Sequence, residues 1–283
     1  MVFRGLKGLV LFLFVVSVAS CKKNDVQHEP LKAGVMTDVS YGADQKNRMD
    51  VYLPQGRAAN TKVIILLHGG AWSDGDKNEY TAQSLYFRDK GFAVINMNYR
   101  LAGTAENNIH PAQQADIGAV VNYVSVKASE WNISSDKFGL IGVSAGAHLA
   151  LLYTYGYNVN DKIKSVVSAS GPANFTDTQG IGLQQAAAVQ LFLGAEFNQI
   201  NFPLFVQASP LLRANSLSKP TLILHGLRDD IVPVKQANDL GVKLAQLNVK
   251  HKVVLFDEGH ELLTPSNSQK ILDEIEKWFN ETI

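Results

Sequence analysis

The sequence predicts an α/β domain: a mostly parallel sheet with helices on both faces. Three observations predict it. Six short apolar runs recur along the body without polar alternation, the texture of strands buried on both faces. Segments with helical spacing separate several of them, and strands alternating with helices build parallel sheets. The chain has 283 residues, 46% hydrophobic and 18% charged, enough apolar material for one large core.

In chain order, "VMTDVSYG" (35–42) and "RMDVYLP" (48–54) flank a polar stretch and predict a hairpin. The buried runs are "KVIILLHG" (62–69), "FAVINMNYR" (92–100), "FGLIGVS" (138–144), "KSVVSASG" (164–171), "TLILHG" (221–226) and "KVVLFDEG" (252–259). Helices are predicted at 111–128, 145–155, 234–247 and 266–280. Residues 173–218 interrupt the alternation and predict one or two helices outside the sheet, a small helical cap insertion. Such an insertion either roofs a cleft or completes the packing. Its residues Leu183, Val189, Leu191, Phe192 and Phe205 accordingly either line that cleft to receive a ligand or belong to the core. No internal repeat or low-complexity linker divides 35–283, which is one domain.

Lys plus Arg equals Asp plus Glu at 26 each, and no run of like charge marks the body. The basic footprint of a nucleic-acid binder is missing. The first twenty residues differ. Arg4 and Lys7 precede an apolar stretch and then small residues, the layout of a secretory signal peptide over 1–20. The apolar run is too short to span a bilayer. It ends in Val18-Ala19-Ser20-Cys21, and Cys21 is the only cysteine. This tetrapeptide resembles the lipobox of bacterial lipoproteins. The resemblance implies acylation of Cys21 and a membrane anchor, with Lys22 pointing to the outer membrane. Residues 21–34 then form a polar tether.

One serine stands at the joint of two apolar elements. Gly142-Val143-Ser144-Ala145-Gly146 matches the G-x-S-x-G elbow and lies after a strand and before a helix, as that motif requires. The glycines permit a tight turn that lifts the hydroxyl above the sheet, and the helix N-terminus brings positive backbone dipoles near it. A serine hydroxyl needs a base, and the base needs an orienting carboxylate. His260 follows a strand in a glycine-led loop, downstream of every candidate acid. "LHGLRDDIVP" (224–233) carries Asp229 and Asp230, while Asp257 and Glu258 adjoin His260 in sequence. "LHGGAW" (67–72) supplies glycines whose backbone can approach a ligand closely.

With "DVYLP" (50–54), "NYRLAG" (98–103) and "GVSAGAHLA" (142–150), these motifs cover nearly all of the body. They resemble the α/β-hydrolase superfamily, in the carboxylesterase branch near hormone-sensitive-lipase-like and feruloyl-esterase-like enzymes. The resemblance implies the chain order serine, acid, histidine: Ser144 as nucleophile, Asp229 of "HG-x-x-D-x-x-V-P" as acid, His260 as base. It implies an oxyanion hole of the Gly70, Ala71 and Ala145 amides. Ala71 departs from the HGGG-type pattern, but a backbone N–H does not depend on its side chain. It implies no metal and no cofactor. The implied substrate is a small-molecule or polysaccharide ester, with acetyl or feruloyl esters of polysaccharide following from a cell-surface location. Some relatives with an HGG-x-W loop act on arylformamides. Serine peptidases of the prolyl-oligopeptidase type share the catalytic core but carry a large N-terminal domain, where here about thirty residues precede the first body strand. A non-catalytic binding module on this fold carries a broken triad.

Overall fold

The computed structural model describes residues 1–2, 30–103, 108–177 and 183–283; Cys21, nearly all of the signal peptide and most of the tether lie outside them. One eight-stranded sheet runs through the domain. Its strands are β1 (Gly34–Ser40), β2 (Arg48–Leu53), β3 (Val63–Leu67), β4 (Ala93–Met97), β5 (Phe138–Val143), β6 (Ile163–Ala169), β7 (Thr221–Gly226) and β8 (His251–Phe256). The order is β1-β2-β4-β3-β5-β6-β7-β8. β1 and β2 form the expected antiparallel hairpin, and β2 pairs antiparallel with β4. Every pair from β4 to β8 is parallel.

The helices are α1 (Thr81–Asp89), α2 (Ala112–Trp131), α3 (Ala145–Gly156), α4 (Leu183–Leu193), α5 (Phe202–Gln207), α6 (Pro210–Arg213), α7 (Lys235–Gln246) and α8 (Ser268–Thr282). β3 shows why the strands read as unbroken apolar runs. Its five residues are all buried. Val63, Ile65 and Leu67 enter a core shared with α2, α3 and α7, whereas Ile64 and Leu66 enter a second core with Phe87 of α1 and Ile271, Ile275 and Phe279 of α8. Successive side chains point to opposite faces, and both faces are covered.

Two elements depart from the sequence expectation. α1 carries no clear apolar stripe, since only Ser84 and Phe87 are fully buried, so periodicity passes over it. Between β6 and β7 the described residues form three short helices rather than one or two. Gly194, at φ +63°, follows the end of α4, and Pro203 and Pro210 each stand in the first turn of a new helix, where a missing N–H costs nothing. Val189, Phe192 and Phe205 are core residues packed with α2 and α3. Leu191 is exposed, and the side chain of Leu183 lies outside the described residues.

β3 pairs with β4 on one side and β5 on the other, so the strand order reverses there. Crevices at the carboxyl edge beside such a reversal are where α/β sheets bind ligands. The loops after β3, β5, β7 and β8 converge on this edge.

Candidate active site

Ser144 sits between β5 and α3 with φ 52° and ψ −118°, a backbone state that costs a non-glycine residue about 1–3 kcal/mol. Its amide donates to the Ala169 carbonyl at 2.8 Å, and its own carbonyl accepts from the Ala147 and His148 amides at 3.0 and 3.1 Å. The flanking glycines are steric necessities. A Cβ on Gly142 would land on the Gly146 carbonyl, and one on Gly146 would land on the Leu67 and His68 carbonyls. Strand, elbow and helix therefore cross too closely for any side chain.

Three of the sequence-predicted residues, distant along the chain, are brought together. Ser144 Oγ lies 2.9 Å from His260 Nε2, and His260 Nδ1 lies 2.8 Å from Asp229 Oδ2. With Nδ1–H donated to the carboxylate, Nε2 is left to accept from the serine hydroxyl. The His260 carbonyl accepts from Ser170 Oγ at 2.9 Å, which ties its loop to the end of β6. Asp229 is buried, and its Oδ1 accepts from the Ile231 and Val232 amides at 3.0 and 2.8 Å. His225 Nε2 donates to the Val232 carbonyl at 2.7 Å and stands 3.2 Å from Asp229 Oδ2. Burial opposes ionisation of Asp229, but the bonds from His225, His260 and the Val232 amide outweigh it and hold the carboxyl well below the usual range. The rival acids lie elsewhere. Asp230 is exposed, Asp257 pairs with Arg228 at 3.0 Å, and Glu258 accepts from Asn267 at 2.6 Å.

The loop after β3 borders the serine: a Cβ on Gly69 would sit 3.4 Å from that of Ser144. Gly70, Ala71 and Trp72 all have positive φ, at +105°, 49° and 62°. The turn closes through the Ser73 and Asp74 amides, which donate to the Gly70 carbonyl at 3.1 and 2.9 Å. The amides of Gly70, Ala71 and Ala145 have no hydrogen-bond partner among the described residues.

Sequence reasoning missed what holds that loop. Trp72 Nε1 donates to His148 Nδ1 at 3.1 Å, and His148 Nε2 donates to the Ala208 carbonyl at 2.8 Å. The indole also stacks on Phe192 at 4.9 Å. Burial pushes the His148 pKa down to about 3, so its ring is neutral, with Nδ1 free to accept. The signal was present in the sequence, as a tryptophan closing "LHGGAW" and a histidine one turn beyond Ser144. His68 takes no part in the relay. Its Nδ1 meets the Gly69 carbonyl at 2.6 Å, its ring stacks on Tyr99 at 4.3 Å, and burial lowers its pKa to about 4.

The sheet order, the elbow after β5 and the loops gathered at the carboxyl edge define the class of the molecule, an α/β-hydrolase fold. The chain belongs to the BD-FAE family, whose model matches residues 49–244. Among solved structures, one titled "Truncated form of carbohydrate esterase from gut microbiota" superposes with a TM-score of 0.75 at 22% identity, over 87% of this chain and 96% of that one. "Probable carboxylic ester hydrolase LipM" of Mycobacterium tuberculosis is 25% identical over 226 residues, 75% of this chain and 52% of its own length. Kynurenine formamidase of Danio rerio is 31% identical over 140 residues, 48% of this chain and 45% of its own. The chain thus spans about half the length of these curated relatives.

Proposed function

We propose that this protein hydrolyses carboxylic esters through an acyl-enzyme on Ser144. The observation that carries this reading is the unbroken relay from Ser144 Oγ through His260 to Asp229, at 2.9 and 2.8 Å. As Oγ attacks the ester carbonyl carbon, His260 Nε2 takes its proton. The developing oxyanion faces the amides of Gly70, Ala71 and Ala145. The imidazolium is stabilised by ionised Asp229 and passes its proton to the departing alcohol oxygen. A water molecule, deprotonated in turn by His260, attacks the acyl-enzyme and releases the acid. Membership of the family and the esterase relatives support the reaction class. The lipobox-like segment supports an exported protein anchored through Cys21 at the outer membrane. There, acetyl or feruloyl groups on polysaccharide are the substrates within reach.

Ser144→Ala tests the chemistry. Loss of a triad nucleophile costs about a millionfold in kcat in a protease precedent, so p-nitrophenyl acetate hydrolysis should fall to background. Retention of more than about a tenth of the rate would remove Ser144 from the mechanism. A fluorophosphonate probe should label wild type at Ser144, which a binding module on this fold would not permit. The formamidase relative favours a second reading, hydrolysis of an arylformamide by the same steps with an amine leaving. Comparing kcat/KM on N-formylkynurenine and p-nitrophenyl acetate decides between the two.

Cys21→Ser should release the protein from membranes and leave kcat/KM of the domain unchanged, since each buried acyl CH2 contributes about 0.8 kcal/mol to anchoring. A wild-type protein that fractionates as freely soluble, with an unacylated N-terminus, would refute the anchor.

A further inference from the structure

Ser170 directly follows β6, is fully buried and has φ 52°. In that left-handed region a Cβ crowds the following carbonyl, so glycine is the residue that adopts it without strain. A buried hydroxyl, moreover, must find a partner. Were the position a matter of packing alone, glycine would meet both demands. The serine has a definite contact instead: its Oγ donates to the His260 carbonyl at 2.9 Å.

That contact is the only hydrogen bond to the His260 main chain among the described residues. His260 lies beyond β8 in a stretch that is neither helix nor strand. Packing beneath it is incomplete as well. A cavity of about 230 Å3 between the sheet and helices α1 and α8 has Ser170, His260, Leu262 and Leu263 in its wall. The ring must nevertheless meet Ser144 Oγ at 2.9 Å and Asp229 Oδ2 at 2.8 Å at once. A shift of about 1 Å in a reacting group can cost about a hundredfold in rate.

The bonds on either side place Ser170 at the centre of the relay. The carbonyl of its neighbour Ala169 accepts from the Ser144 amide at 2.8 Å. The Ser170 amide donates at 2.9 Å to the Leu224 carbonyl, on the strand that leads to Asp229. These two bonds are backbone to backbone and survive any side chain at 170. The link to the base alone depends on the hydroxyl.

We propose that Ser170 is the positioning residue of His260, and that its strained backbone is retained because the hydroxyl sets where the base stands relative to Ser144. The proposal rests on the ester-hydrolase reading and adds a residue to it. Ser170→Gly separates the two roles, since it removes the hydroxyl and relieves the backbone together. Its Tm should stay within about 3 °C of wild type, because a lost hydrogen bond and relieved strain offset each other. Its kcat on p-nitrophenyl acetate should fall about tenfold with KM nearly unchanged. Fluorophosphonate labelling of Ser144, which draws on the same base, should slow by a similar factor. Ser170→Ala removes the hydroxyl and keeps the strain, so it should share the kcat loss at a lower Tm than Ser170→Gly.

A kcat within about twofold of wild type in both variants would overturn the assignment. So would activity that merely follows Tm, with Ser170→Gly as active as wild type and only Ser170→Ala impaired, the mark of a structural serine. Failure of the underlying reading looks different: wild type would neither hydrolyse esters nor label at Ser144.

Discussion

The His148 ring bonds Trp72 and Ala208 rather than the Ser144 hydroxyl, yet in the proposed mechanism it bears on the reaction. It lies one turn into α3, accepts from the Trp72 indole and donates to the Ala208 carbonyl, and so ties the helix that follows Ser144 to the loop carrying Gly70 and Ala71. That loop has three successive residues at positive φ, two of them not glycine, and such strain persists only where the surroundings hold it. Trp72→Phe removes the donor and leaves His148 Nδ1 buried and unpaired. Since outright loss of an oxyanion donor costs about 10²–10³ in kcat, a loosened loop should cost roughly tenfold in kcat with KM nearly unchanged. His148→Asn, which retains an acceptor, should keep more activity than His148→Leu. Steady-state kinetics showing kcat unaltered in Trp72→Phe would dismiss the link. His225 acts comparably on Asp229, and it explains why a histidine opens the "HGLRD" stretch: its Nε2 bonds the Val232 carbonyl and faces the carboxylate.

Among the elements, the turn at Lys77–Tyr80 has an unusual anchorage. Lys77 is buried, with its ammonium 2.9 Å from Asp50 on β2 and 3.0 Å from Asp38 on β1. Its amide donates to Asn98 Oδ1 at 2.6 Å, and its carbonyl accepts from Asn96 Nδ2 at 2.6 Å. Burial opposes the charge on Lys77, but hydrogen bonds to Asp50 and Asp38 outweigh it and raise its pKa. This cluster fixes the segment that carries Tyr80 and leads into α1, one wall of the cavity beside His260. Asp38 is largely exposed, so removing Asp50 leaves the buried Lys77 charge only partly compensated. Asp50→Ala should therefore lose about 3 kcal/mol of stability in urea unfolding. A loss below about 1 kcal/mol, the value of an exposed pair, would mean that water reaches Lys77. The hairpin bearing Asp38 and Asp50 was legible from the sequence, whereas their partner and α1 were not. The reason is that α1 packs through few buried side chains and leaves no clear apolar stripe.

At the scale of the molecule, acid should weaken the fold before it reaches the carboxylates. Burial lowers the pKa of His68 and His110 to about 4 and that of His148 to about 3. In the unfolded chain each titrates near 6.5. Between those values the unfolded chain binds a proton that the folded one refuses, so stability is full above about pH 6.5 and falls as pH drops through that window. Each histidine contributes a slope of about 1.4 kcal/mol per pH unit there. Asp229 titrates in the folded state below its usual range, so its contribution persists above about pH 4 and disappears only at lower pH. Urea titrations at pH 7, 6 and 5 should show a progressive decline. A flat unfolding free energy over that range would mean that these histidines are solvated.

The sequence by itself determined the strands and four of the helices, because these are local signals, and its resemblance to a family supplied the expectation that Ser144, Asp229 and His260 lie together. Unbroken apolar runs mark strands covered on both faces, G-x-S-x-G marks a turn too tight for side chains, and the order serine, acid, histidine follows the order of strands. Only the tertiary structure decided what depends on approach between distant segments. It turned Asp229 inward and Asp230 to solvent, because the Ile231 and Val232 amides and two histidines converge on one carboxylate. It placed Phe192 and Phe205 in the core. It also put the cavity at α1 and α8, on the other face of the sheet, since sequence periodicity reports how much of a side chain is covered and not which element covers it.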